Sequence, residues 1–316
     1  MEALGVEARR LMSESSAKST WKAYKTGLTV FDAFRSDHSL IHVWPVPINH
    51  FVLFISFLSL SGRSLNTVRT YLAAINALHK LKNLPCSSSH FIIVKILEGF
   101  RRSNSPSSRK RSPITFPLLV KIHKVLEGVC YSNYEVNLFR AAFSLAFFAL
   151  LRISEFAVSS KNAPTFKVLQ VADITFHDSK PPIIEVKVRF SKTDQLGRGT
   201  ILKIIADAVT PICPFNSLKR FVEQRGAHKG PLFCHFDKSP LSRCQVQAVL
   251  RKALANLGHD SSNYSTHSFR IGGATTAAQN NISERTLKVI GRWQSSAYKS
   301  YIQIPSRDIC CTDLTI

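Results

Sequence analysis

Ile184-Glu185-Val186-Lys187-Val188-Arg189-Phe190, running on into Ser191-Lys192-Thr193, decides the fold of this chain. Apolar and charged residues alternate strictly, and a period of two places one set on each face of a half-buried strand. Thr200–Ile205 reads as its partner, since the stretch between them, Asp194-Gln195-Leu196-Gly197-Arg198-Gly199, is rich in turn residues. The two form a β-hairpin, and residues 168–174 are expected to add a third strand. Everything around this small sheet has helical spacing, so the second half of the chain reads as α+β.

Working outward, helices are expected at about 116–128 and 135–150 before the sheet. After it they are expected at 214–225, 243–257, 266–279 and 283–290, with a last one from about 295. In the first hundred residues, Trp21, Tyr24, Leu28, Phe31 and Phe34 recur at three- and four-residue steps, and Leu65, Val68, Tyr71, Leu72, Ile75, Leu78 and Leu81 repeat the pattern after Ser64. With 48–60 and 91–100 they make residues 18–102 a four-helix domain whose aromatic stripe is core rather than a base-stacking surface. The domains part at residues 101–113, where six of thirteen residues are Ser or Asn and Arg101, Arg102, Arg109, Lys110 and Arg111 supply five positive charges. No core can be built from that composition. The expected organisation is a helical domain at 18–102, a basic linker at 103–113, a second domain at 114–303 and a short tail at 304–316.

The charge is the strongest global signal. Forty-two Lys and Arg stand against 20 Asp and Glu, a net +22, with a surplus of ten up to residue 112 and twelve after it. Both domains therefore call for a polyanion, double-stranded DNA first, and the linker basic residues are candidates for its backbone or for a nuclear-import signal. A membrane is not expected: the longest uncharged apolar run, 141–151, is about half of what a bilayer needs. No signal peptide is visible, so an intracellular protein is expected, nuclear if the source is eukaryotic. Seven scattered cysteines suggest reduced thiols. His228, Cys234, His235 and Cys244 fit no common zinc spacing, so no metal is expected. Acidic residues are too sparse to suggest the carboxylate cluster of a metal-dependent nuclease.

The second half instead carries cationic and hydrogen-bonding groups in local motifs: Leu150-Leu151-Arg152-Ile153-Ser154-Glu155, Ser191-Lys192-Thr193, Thr266-His267-Ser268-Phe269-Arg270-Ile271-Gly272-Gly273, and Gly291-Arg292-Trp293 with Tyr298 and Tyr301-Ile302 behind it. Each alone has an ordinary reading, as a surface arginine paired with Glu155, a solvated lysine or a core aromatic. Together and in this order they resemble the tyrosine recombinase (phage integrase) family over about residues 113–303. The wording of the last motif is most similar to the recombinases of eukaryotic DIRS-like and Crypton mobile elements. The front half is similar only in architecture. The resemblance implies a mainly α protein of two domains, a helical core-binding (SAM-like) domain and an α+β catalytic domain with a small antiparallel sheet.

It also implies the chemistry. Attack on a phosphodiester builds charge on two non-bridging oxygens, which the planar guanidinium groups of Arg152 and Arg270 would clamp without a metal. Trp293 would donate a hydrogen bond, His267 would donate and share in proton transfer, and Lys192 would protonate the leaving 5′ oxygen. Glu155 would orient His267 or Arg152. The nucleophile would be a tyrosine, forming a 3′-phosphotyrosyl linkage that a 5′-hydroxyl reseals without ATP or any cofactor. Tyr301 is the expected residue and Tyr298 the alternative, because Tyr301 lies eight residues after Trp293 where nine are usual in the family. Assembly as a tetramer on DNA is implied by resemblance alone, and the tail is short for the helix exchange many members use. Three readings stay beside site-specific recombination: a type IB topoisomerase, a DNA-binding regulator derived from a recombinase that no longer cuts, and a helical scaffold with basic surfaces, which would form no covalent DNA adduct.

Overall fold

The computed structural model describes residues 1–103, 111–191, 194, 197–207 and 212–303. It divides into two compact units, Met1–Ser108 and Arg109–Ile316. The expected linker falls largely on residues 104–110, outside the described residues.

The first unit is helical: α1 (Glu2–Glu14), α2 (Lys18–Asp37), α3 (Ile48–Leu60), α4 (Leu65–Leu81) and α5 (Phe91–Ser103). Sequence spacing predicts the last four and misses α1, which buries none of its residues. Phe31 and Phe34 of α2 pack with Phe51, Phe54 and Ile55 of α3, and with Val68, Leu72 and Ile75 of α4. Most of the aromatic stripe is core as expected, but its first two members, Trp21 and Tyr24, line a cleft between α2 and α4. Gly27 lets these helices meet, since a Cβ there would stand 2.9 Å from the Tyr71 ring. Ser64 caps α4 by accepting from the Thr67 amide at 3.2 Å.

In the second unit α6 (Phe116–Val129), α7 (Asn133–Phe148) and the one-turn α8 (Ile153–Phe156) precede the sheet. Its strands β1 (Ile174–His177), β2 (Ile183–Val188) and β3 (Thr200–Ile205) run antiparallel in the order β1-β2-β3. Ile184, Val186 and Val188 are buried, while Glu185 sits opposite Lys203 and pairs with it at 3.0 Å. The expected third strand is displaced. Residues 168–173 are an extended segment and a 3-10 turn, in which Asp173 accepts from the Gln170 amide at 2.8 Å, and the strand begins only at Ile174. Val168 and Leu169 are apolar because they are buried in the core beside the sheet rather than paired within it.

Helices α9 (Pro214–Arg225), α10 (Arg243–Asn256), α11 (Ser268–Gln279) and α12 (Glu284–Gly291) complete the unit. The run at 141–151 is, as expected, buried core, with residues 136–147 of α7 covered along almost their whole length. Helix α11 lies unusually close to its neighbours: a Cβ on Gly272 would stand 1.7 Å from the Ile114 carbonyl oxygen, and one on Gly273 2.3 Å from that of Phe147. Only glycine fits there, so Gly272 fixes α11 against the segment that leads into α6 and Gly273 fixes it against the end of α7. The expected last helix is a 3-10 helix, Ser296–Tyr301. No helix among the described residues is long and apolar enough to cross a membrane.

Candidate active site

Three chain segments meet where α7 ends, α11 begins and the last 3-10 helix closes over both. The turn after α7 puts Leu150 in the left-handed region, φ 48°, which sends its carbonyl toward α11. Arg270, wholly buried in the first turn of α11, donates Nη1 to Leu150 O and Nη2 to Gly291 O. Its guanidinium stacks on the Trp293 ring at 4.2 Å and lies 5.3 Å from the centre of the Tyr301 ring. His267, at the N-cap of α11, and Trp293 each lie 5.0 Å from the Tyr301 ring, both tilted against it. Thr275 holds the end of the 3-10 helix on α11, donating to Tyr301 O at 3.3 Å and accepting from the Gln303 amide at 3.0 Å. Four of the expected residues, His267, Arg270, Trp293 and Tyr301, thus form one aromatic and cationic stack.

Arg152 joins them through Glu155. This carboxylate, 2% exposed, accepts from the Arg152 amide at 2.9 Å, from Arg152 Nη1 at 3.1 Å and from Arg292 Nη2 at 2.6 Å. Glu155 therefore orients Arg152, one of the two partners expected for it, and its second partner is an arginine that sequence reasoning passed over. Arg292 adopts the left-handed conformation at the end of α12 and is buried. It also donates to the carbonyls of Ile290 at 2.9 Å, Leu150 at 3.2 Å and Ala149 at 3.3 Å. The signal for it was in the spacing: Arg292 stands nine residues before Tyr301, the usual separation, where Trp293 stands eight.

The site is electrostatically incomplete. Arg152 and Arg292 share one carboxylate, Arg270 beside them bonds only main-chain carbonyls, and Nε of both Arg270 and Arg292 is buried with no hydrogen-bond partner. Burial, then the Arg152 and Arg292 charges, push the Arg270 guanidinium down from its ordinary pKa. His267 keeps an exposed edge, but partial desolvation by the groups packed around it, then Arg270 and Arg152, likewise lower it, which favours neutral imidazole at neutral pH. Such an excess of fixed positive charge suits a bound anion with several acceptor oxygens.

The two tyrosines part company here. In a 3-10 helix residues three apart eclipse, and both rings adjoin Trp293, at 6.3 Å for Tyr298 and 5.0 Å for Tyr301, but their other partners differ. Tyr298 is buried, lies 5.4 Å beneath Lys288 Nζ and donates to Glu284 on α12; burial, then that carboxylate, raise its phenol above the ordinary value. Tyr301 is only half-buried and sits on the arginine-histidine stack.

Lys192 lies outside the described residues. Its neighbours Ser191 and Asp194 pair through their backbones and line, with Thr200, Lys288, Arg292 and Trp293, a cleft of about 320 Å³. Of the linker cations, Arg101 and Arg102 are exposed in the last turn of α5, and Arg111 donates to the Ser262 carbonyl at 2.5 Å. Arg109 and Lys110 are outside the described residues. His228 and Cys234 adjoin at 3.7 Å, and no group of three metal-ligating side chains occurs among the described residues.

No family model matches the chain. An integrase/recombinase XerD homolog of Selenomonas ruminantium is 25% identical over 297 residues, covering 90% of this chain and 81% of that protein. Among solved structures, a lambda integrase dimer bound to a COC′ core site superposes with a TM-score of 0.62 at 16% identity, covering 97% of this chain and 96% of the other. XerH site-specific recombinase bound to difH substrate gives 0.59 at 14%, covering 90% and 75%. The Tn1549 transposon integrase in complex with circular-intermediate DNA gives 0.58 at 13%, covering 95% of each. The structural likenesses show the fold, mainly helical with a three-stranded antiparallel sheet in the second unit, and the sequence likeness is to an integrase/recombinase.

Proposed function

We propose that this chain cuts and rejoins double-stranded DNA in site-specific recombination, through a 3′-phosphotyrosyl intermediate on Tyr301. The observation that carries the reading is the surplus of buried guanidinium charge beside a single phenol: an anion is wanted, and Tyr301 is the nucleophile next to it. In the forward step Tyr301 Oη attacks the scissile phosphorus, the bond to the 5′ oxygen breaks, and Arg152 and Arg270 balance the charge on the non-bridging oxygens. Neutral His267 accepts the phenol proton, while Lys192 gives one to the departing 5′ oxygen. The reverse step uses a 5′-hydroxyl to expel the tyrosine, so bond energy is retained and neither ATP nor a metal enters the scheme. Arg270 is wholly buried, with the Trp293 and Tyr301 rings against its guanidinium, so a phosphate reaches it only when a neighbouring group moves. Glu155, itself held by Arg292, holds Arg152 in place.

The direct test is incubation with duplexes nicked near the scissile position, followed by denaturing electrophoresis. A protein–DNA adduct is expected, and an idle regulator gives none. Joined sites rather than relaxed circles separate recombination from topoisomerase-like strand passage. Tetramer assembly on DNA, an origin in a DIRS-like or Crypton element and nuclear residence belong to the same proposal; the second rests on the Gly291-Arg292-Trp293 and Tyr301-Ile302 wording.

Two further results are expected. Lys192→Ala slows cleavage of ordinary DNA but spares a substrate with sulfur at the 5′-bridging position, since a thiolate departs without a proton. Equal loss on both would reduce Lys192 to positioning DNA. Replacing Arg101 and Arg102 with Ser lowers the slope of log affinity against log salt by about 0.9 for each phosphate no longer neutralised. An unchanged slope would remove the end of α5 from the DNA interface.

A further inference from the structure

Helix α1 has an apolar stripe with nothing on it. Leu4, Ala8, Leu11 and Met12 fall at the spacing of one helix face, and Leu4 and Leu11 are 69% and 55% exposed. Two turns of leucine in water are costly for a helix that buries no residue of its own. The same unit offers a surface of matching chemistry. Trp21, Tyr24 and Leu28 of α2 and Ala77, Leu78 and Leu81 of α4 line an open cleft of about 260 Å³, with Leu81 50% exposed.

The charges beside stripe and cleft also correspond. Glu7 and Glu14 flank the leucines seven residues apart, bridged by Arg10, and α1 as a whole is net acidic in a chain of net charge +22. On α2, Lys25 lines the cleft, with Asp32 two turns farther on, and Lys18 and Lys22 fall on the same helix face ahead of it, the outer two lysines again seven residues apart. Seven residues of helix rise about 10.5 Å, so the two rows are equal in length.

Helix α1 cannot fill the cleft of its own chain as the structure stands. The Trp21 indole, which forms one end of the cleft, donates to Ser13 O at 2.8 Å and holds the last turn of α1 at that edge. Only residues 15–17 separate the two helices. Laying Leu4 into the same cleft would require that hydrogen bond to break.

We propose that α1 of one copy docks its Leu4–Leu11 face into the α2–α4 cleft of a second copy, with Glu7 and Glu14 against the lysine edge. The association involves neither DNA nor the catalytic residues, so it stands or falls apart from the proposed reaction. The test is sedimentation velocity of the full chain, without DNA, over a wide range of concentration. The wild type is expected to self-associate. Leu4→Glu with Leu11→Glu, and separately Leu81→Glu, should each raise the dissociation constant by more than about tenfold, with circular dichroism unchanged because all three side chains are exposed. Mixing the two variants should restore association, because one retains the cleft and the other the helix. A wild type monomeric throughout, association indifferent to either variant, or a mixture no better than its components would each overturn the proposal. So would a monomer in which amide exchange shows α1 protected, which would return the helix to its own cleft.

Discussion

Tyr301→Phe is expected to abolish the covalent DNA adduct, a loss of more than about a thousandfold, while DNA affinity stays within experimental error. The substitution removes one oxygen and leaves the ring that stacks on His267, Trp293 and Arg270. Tyr298→Phe should keep the adduct. Its hydroxyl is committed to Glu284, and burial beside that carboxylate disfavours the phenolate, so only a modest loss from looser packing on α12 is expected. Peptide mapping of the adduct locates the phosphate. A phosphotyrosine at position 298, or a Tyr301→Phe protein that still forms adduct, would refute the assignment of the nucleophile.

The second large effect is on stability. Glu155→Ala removes the carboxylate that Arg152 and buried Arg292 share, leaving positive charge in the interior without its counter-ion. Breaking such a pair costs about 3–5 kcal/mol. Urea unfolding of the second unit should show that loss, and adduct formation should fall with it. Glu155→Ala combined with Arg292→Met should recover part of the stability, because the orphaned charge is gone. It should recover little of the activity, because Arg152 remains unanchored. A double variant no more stable than Glu155→Ala alone would show that the ion pair is not what the carboxylate contributes.

Much of the fold and half of the site were legible in the sequence because they depend on period and order. The alternation from Ile184 to Val188 gives β2 directly, and the spacing of His267 and Arg270 puts both at the start of α11. What escaped depends on neighbours the sequence does not display. Helix α1 has no buried face, so nothing in it marks a core. Val168 and Leu169 are apolar for burial, and apolarity alone does not tell an extended core segment from a strand. Tyr298 and Tyr301 looked like near-equivalent neighbours on an α-helix; the burial of Tyr298 beside Glu284 and the contact of Tyr301 with His267 distinguish them. Arg292 looked like any arginine beside a tryptophan until its bonds to Glu155 and the main-chain carbonyls around it were visible.

The turn after α7 bears on how such a site changes over generations. Leu150 and Ala149 hold Arg270 and Arg292 through carbonyl oxygens at the negative end of a helix dipole. Every amino acid carries that oxygen, so the identities of the side chains at these positions are not what grips the arginines. Residues 146–151 are therefore free to drift among side chains of similar volume that tolerate the turn, while the guanidinium groups keep their aim. In a saturation library scored for adduct formation, this stretch should accept exchanges of one apolar residue for another and reject proline, which alters the backbone path itself.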